Sequence, residues 1–222
     1  MKSSAISTCI AGEEVLLLPE KAVLWRRKKT LFAADLHLGK SAHFRKSGIP
    51  VSSQVQDDDL RKLTAILTEF SIEKIYLLGD LFHSKLNNEW DHFIRWRKQY
   101  GNIEFHLTKG NHDLLHEELI SKGSIIYHPD DLHDDPFIFS HQIPEEVEVN
   151  GYRLSGHIHP SVRLSGKGLQ SISFPCFWFG KTYGVLPSFG SFTGHHIIKP
   201  MRGDLVFVIY DNQVKQVVKN RI

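Results

Sequence analysis

Five short motifs in this chain collect side chains able to grip a cation: Asp35-Leu36-His37, Gly79-Asp80, Gly110-Asn111-His112-Asp113, Ser140-His141 and Gly156-His157-Ile158-His159. Each follows a short apolar run of strand-forming character, at residues 31–34, 75–78, 103–107, 137–139 and 152–154. Asp80 is the clearest case, because a carboxylate at the tip of a buried strand is costly unless something positive meets it. Gly79 leaves the backbone free to turn close to that partner. Apolar strands that all deliver Asp, Asn or His at one end describe a metal centre at the edge of a sheet.

The number of ligands says how many ions. Side chains alternate along a strand, so Asp35 and His37 can point the same way, as can His157 and His159, each pair closing on one ion. The inventory is four imidazoles (His37, His141, His157, His159), two carboxylates (Asp35, Asp80) and the Asn111 amide. A single tetrahedral ion needs fewer, whereas two ions sharing a bridging carboxylate use all seven. Mixed nitrogen and oxygen ligands suit manganese, iron or zinc better than calcium, and the lack of a thiolate argues against a structural zinc site. Two such ions roughly 3.5–4 Å apart form the clamp used in in-line phosphoryl displacement, where they activate water and neutralise phosphate oxygens.

The elements that must position these groups are legible in outline. Residues 14–18 and 22–26 flank Pro19-Glu20-Lys21 as a hairpin that feeds the strand at 31–34. A polar loop over 39–50 carries Lys40, His43, Arg45 and Lys46. A helix starts at Ser52 or Ser53, with Leu60, Leu63, Ile66, Leu67 and Phe70 at helical spacing. A second runs from Asn87 or Asn88 to about Tyr100 and stops at Gly101, and a third, capped by Asp113, stops at Gly123. Strand and helix alternate to this point, which predicts a mostly parallel sheet with crossover helices. Beyond Ser124 the periodicity shortens, and runs at 124–127, 137–140, 152–155, 171–174, 183–186, 205–210 and 214–218 predict a second, mainly antiparallel sheet. The expectation is one α/β (α+β) domain over residues 1–222, with two sheets face to face and helices outside.

Composition sets wide bounds. The 222 residues, 41% hydrophobic and 23% charged, are those of an ordinary globular chain. A net charge of +2 neither demands nor excludes nucleic acid, since a local basic groove can sit on a nearly neutral protein. Two cysteines, Cys9 and Cys176, exclude a disulfide scaffold and fit a reducing compartment. No signal peptide or membrane span is readable, and the expected location is cytoplasmic. Trp90, Phe93 and Trp96 with Arg95, Arg97 and Lys98 read as core packing with a charged outer face rather than a base-stacking platform. His195 and His196 read as structural or surface histidines.

In order and spacing, the five motifs resemble those of the calcineurin-like metallophosphoesterase superfamily. That resemblance implies a four-layer β-sandwich with helices on both outer faces. It implies a first metal site of Asp35, His37 and His159, a second of Asn111, His141 and His157, and Asp80 bridging. His112 would hydrogen-bond the phosphate and protonate the leaving oxygen, oriented by Asp113, while a metal-bridging hydroxide attacks phosphorus. The cationic loop that follows His37 places Lys40 or Arg45 against the phosphate. His83 departs from the commoner pattern of the superfamily.

A narrower resemblance covers most of the chain. Asp35-Leu36-His37-Leu38-Gly39-Lys40, His43-Phe44-Arg45, Gly48-Ile49-Pro50, Phe174-Pro175-Cys176-Phe177-Trp178 and the run from Pro187 to Gly194 are similar to the ligase-associated DNA damage response endonuclease branch. It implies a manganese-dependent phosphodiesterase acting on DNA in repair, with a DNA ligase, helicase or nuclease as partners; zinc and iron(II) are the other metals the ligands accept. A phosphatase, a cyclic-nucleotide phosphodiesterase and a metal-binding scaffold share the same centre and stay open at this point.

Overall fold

The computed structural model describes residues 4–40, 54–82, 88–111, 117–143, 150–165, 171–191 and 193–217. Its first sheet has seven strands in sequence order. β1 (Ile6–Ile10), β2 (Glu13–Leu17), β3 (Val23–Trp25) and β4 (Thr30–Ala34) pair antiparallel. β4, β5 (Lys74–Leu78), β6 (Glu104–Thr108) and β7 (Ile125–His128) pair parallel. The crossovers carry α1 (Gln54–Glu69), α2 (Asn88–Arg97) and α3 (Glu117–Lys122), as parallel neighbours require.

The second sheet contains β8 (Leu132–Asp134), β9 (Phe137–Phe139), β10 (Tyr152–Ser155), β11 (Pro160–Ser165), β12 (Ser171–Phe179), β13 (Tyr183–Val185), β14 (His196–Ile197), β15 (Leu205–Tyr210) and β16 (Gln213–Val217). It is mixed rather than mainly antiparallel, because β10 lies between β9 and β13 and runs parallel to both. β12 continues through Pro175, which pairs on one side only, with Ser161, so its missing N–H breaks no ladder. β1, β8, β11 and β14 escape the sequence pattern. β8 and β14 have three and two residues, and β1 reads intermediate and exposed along most of its length.

Two apolar layers result. Phe32, Tyr76, Trp25 and Leu78 meet Phe137, Phe139, Leu154, Phe177 and Phe207 between the sheets. Trp25 and Phe137 are edge to face at 4.9 Å, and Phe32 and Phe139 lie 4.7 Å apart, contacts worth about 0.5–1.5 kcal/mol each beyond area burial. On the outer side of the first sheet, Leu31, Ile75, Leu77, Phe105 and Leu107 pack against Leu60, Leu63 and Ile66 of α1 and Trp90, Phe93 and Trp96 of α2. The described helices lie on this side. The outer face of the second sheet carries a smaller cluster of Val162, Cys176, Ile198, Val206 and Val208. Arg97 departs from the expected charged outer face: it is buried, donates to the carbonyls of Tyr100 and Ile103, and sits over Phe105.

Candidate metal centre

Strand register brings the motifs together. Ala34 lies opposite Leu78, and Leu78 opposite Thr108, so the chain leaves β4, β5 and β6 at one level. Leu154 lies opposite Phe139, which sets the Ser155-Gly156-His157 turn beside Ser140-His141. The turns are then laced to one another: His37 N–H donates to Asp80 O at 2.9 Å, Gly156 N–H to His141 O at 3.1 Å, and Phe189 N–H to Ala34 O at 2.8 Å.

Strand alternation is not what aims the side chains. β4 ends at Ala34 and β10 at Ser155, and Asp35, His37, Asp80, His157 and His159 all have φ between 47° and 70°. Residues with a Cβ rarely adopt that left-handed conformation, which costs on the order of 1–3 kcal/mol each. The expected pincer of His157 with His159 therefore does not form. His159 joins Asp35 and His37, while His157 joins Asp80 and His141, with the ligand atoms of each trio all within 4.8 Å of one another.

Asp80 is placed between the trios. Its Oδ2 lies 3.8 Å from His37 Nε2 and 3.5 Å from His141 Nε2. His141 Nδ1 donates to Leu78 O and His159 Nδ1 to Gly194 O, each at 3.0 Å. A carbonyl only accepts, so these bonds hold the proton on Nδ1 and turn the Nε2 lone pairs inward, the arrangement of a ligating histidine. His159 Nε2 lies 3.6 Å from Asp35 Oδ1, a fully buried carboxylate oxygen that accepts no hydrogen bond among the described residues. A lone pair and a carboxylate oxygen converging in this way repel unless a cation stands between them, so the donor set fits a divalent ion in each trio. Burial, reinforced by His141, holds the His157 imidazole below its usual pKa, while Asp35 and Asp80 oppose the shift; the neutral ring is the form that coordinates.

Two glycines are required by this crowding. A Cβ on Gly79 would run into the His141 ring, and one on Gly156 into Asp35 Oδ2 and the Ala34 side chain.

Comparison with known proteins fits this geometry. The family model for calcineurin-like phosphoesterase matches residues 28–192. The chain belongs to that family. It is thus a hydrolase of phosphoester bonds, with two candidate metal sites of Asp and His. Among solved structures, the phosphoesterase is similar to a nuclease, MPE, from Pseudomonas putida, at 25% identity and a TM-score of 0.82 over 96% of this chain and 100% of that one. Curated proteins gave no match.

Of the other residues singled out from the phosphoesterase sequence, Lys40 lies at the centre. Its ammonium is pushed down in pKa by burial, with Asp80 and then Asp35 acting in the opposite direction, and its N–H donates to His37 O at 3.2 Å. Asn111 is exposed, three residues beyond β6. His112, Asp113, Arg45, His43, Lys46 and His83 lie outside the described residues.

Sequence reasoning missed the support behind Asp35. Ser188 Oγ donates to Asp35 O at 2.8 Å. Ser191 and Phe189 are in turn tied to Asp59 and Lys62 of α1. The signal was slight: Ser188, Gly190 and Ser191 around Phe189 fit a tight backbone approach but name no partner.

Proposed function

We propose that this phosphoesterase is a manganese-dependent nuclease that hydrolyses phosphodiester bonds of DNA, in a cytoplasmic repair setting shared with a DNA ligase, helicase or nuclease. The observation that carries the reading is the pair of trios joined through Asp80 at one rim, in a chain that is similar over 96% of its length to a nuclease. A polar cleft of about 460 Å³, with Thr108, Lys109, Asp130, Asp131, Ser140 and His141 in its lining, opens beside the second trio.

Asp35, His37 and His159 would hold one ion, and His141 and His157 with Asn111 the other, with Asp80 between them. When bound, the two ions supply Lewis acidity toward the phosphate and a water acidic enough to attack it. The chain does the rest. The Leu78 and Gly194 carbonyls fix the tautomers of His141 and His159, so no proton competes for the ligating nitrogens. Lys40 brings positive charge toward the phosphate, as does Arg45 in this reading. His112, oriented by Asp113, hydrogen-bonds the phosphate and donates a proton to the departing oxygen.

The test is cleavage of an internally labelled single-stranded oligonucleotide with added manganese, beside bis(p-nitrophenyl) phosphate, repeated with Asp80→Asn and His112→Ala. The expected result is cleavage of both substrates by wild type and a loss of at least about a hundredfold in each variant. Full activity in both variants overturns the assignment of these residues. Hydrolysis of the small ester with no attack on the oligonucleotide overturns the nuclease reading, and inertness toward both favours a scaffold.

A further inference from the structure

A second, smaller pocket shares a wall with the metal centre. Its volume is about 90 Å³, and Lys21, His159, Ser161, Ser173, Thr193 and His195 are among its lining. That is well below the roughly 300–1,000 Å³ of clefts that enclose whole ligands; it has room for a tetrahedral oxyanion and none for a nucleobase. His159 belongs to both places. Its ring contributes Nε2 to the first trio and closes one side of the pocket, with Nδ1 anchored on Gly194 O at 3.0 Å.

Lys21 reaches this pocket from the turn between β2 and β3. The turn is pinned by Lys21 N–H on Leu18 O at 3.0 Å and Leu18 N–H on Ala22 O at 2.9 Å, and it holds Lys21 at φ 68°. Among the described residues its ammonium makes no hydrogen bond and no ion pair. The acid whose charge acts on it, Asp59, is engaged by Lys62 at 2.6 Å and by Ser191. Burial lowers the Lys21 amine to about 8, assisted by Lys62 and opposed by Asp59. A largely desolvated cation without a counter-ion is a cost that a bound anion removes. Ser161 and Thr193 spend their hydroxyl protons on Phe174 O and Gly190 O. Among the described side chains of the lining, the donors left for an anion are therefore Lys21, Ser173 and a ring N–H of His195.

We propose that this pocket binds the phosphate next to the scissile phosphodiester, so that Lys21 makes the enzyme favour a polynucleotide over an isolated diester. The inference rests on the nuclease reading and deepens it by naming where a neighbouring phosphate is held. Lys21 is a specificity residue here: it touches a part of the substrate that does not react.

The experiment compares wild type, Lys21→Met, which keeps the aliphatic stem and drops the charge, and Lys21→Arg, which keeps the charge. kcat/KM is measured with manganese on a single-stranded oligonucleotide and on bis(p-nitrophenyl) phosphate, and binding of a fluorescent oligonucleotide is measured by anisotropy on metal-free protein. For Lys21→Met, the ratio of the two kcat/KM values shifts against the oligonucleotide by about tenfold, the order expected for one lost charge-assisted hydrogen bond. The shift falls on KM, metal-free binding weakens by a similar factor, and Lys21→Arg recovers most of both. Inorganic phosphate added to the binding assay separates the sources: competition only far above the oligonucleotide concentration marks the polymer as the ligand, and equal competition overturns the proposal in favour of a free-phosphate site. An unchanged ratio in Lys21→Met, with the oligonucleotide still cut, overturns the subsite alone. A wild type that hydrolyses the small ester but neither binds nor cuts the oligonucleotide overturns the nuclease reading and the subsite with it.

Discussion

The backbone N–H of His157 donates to Oδ2 of Asp35 at 2.7 Å, a bond between residues 122 positions apart that ties the turn after β10 to the turn after β4. One oxygen of Asp35 thus staples the two sheets, and the other faces His159 Nε2 at 3.6 Å and His141 Nδ1 at 3.7 Å. The same carboxylate serves fold and chemistry, and substitutions can separate the two.

Asp35→Asn keeps an oxygen for the His157 amide but removes the charge, so metal content falls while the fold is nearly unaffected. Asp35→Ala also removes the acceptor, and an amide left without its partner at this part-buried position costs about 1–3 kcal/mol. Metal analysis after manganese loading and dialysis, read beside thermal melting, checks both. Two ions per chain retained by Asp35→Asn would remove Asp35 from the ligand set.

Gly156→Ala places a methyl group against the Asp35 carboxylate and the Ala34 side chain. Overpacking of this kind costs about 1–3 kcal/mol, and here the yielding group is a ligand, so the variant loses stability in urea and metal affinity together. A destabilised variant with native manganese affinity would show that Asp35 is not held where the backbone puts it.

The motifs were legible because chelation needs particular side chains, and the apolar runs before them locate strand ends. How those side chains are aimed was not. Period-two alternation predicted pairs of neighbours, and Asp35 and His37 do share a trio, but left-handed backbone at His157 and His159 goes with their separation into different trios, and φ leaves no mark on residue type here. Lys21 carried no signal either: a lysine in a turn reads as solvated, and only the fold of the chain places it against His159 and Ser173. The strands most clearly read were those buried over their full length, such as β4, β9 and β10. β8 and β14 are too short to show a period.

Away from the metal centre, His106 Nδ1 and His128 Nε2 share a hydrogen bond of 2.9 Å with their rings stacked. Burial lowers both pKa values; His106 feels an opposing pull from Glu104, and His128 a further push from His106. In the unfolded chain each titrates near the usual value of about 6.5, so below that pH the unfolded state binds more protons than the folded one. Stability is therefore lost as pH falls through about 6.5, until the lowered folded values are reached. Melting temperatures at pH 7.5 and 5.5 test this: the drop is smaller in His106→Gln and His128→Gln than in wild type. Equal drops in all three would mean that the pair is already charged in the fold.

The last prediction concerns a support that reaches Asp35 from α1. Asp59, 5% exposed, accepts from Ser191 N–H at 3.1 Å and Ser191 Oγ at 2.6 Å, and pairs with Lys62 at 2.6 Å. Lys62 donates to Phe189 O at 3.1 Å, and the segment so fixed returns to the metal side through Ser188 Oγ and Phe189 N–H, which donate to Asp35 O and Ala34 O. The carbonyls of a strained turn are thereby satisfied from behind, as outer groups of metal sites commonly do. Asp59→Ala lowers manganese affinity by about 10–100-fold and stability by about 1–3 kcal/mol, although Asp59 is no ligand. Asp58→Ala, which removes an exposed pair with Arg61, leaves both unchanged. Isothermal titration with manganese separates the outcomes, and a fully native affinity in Asp59→Ala would show that Asp35 keeps its left-handed turn without help from the helix.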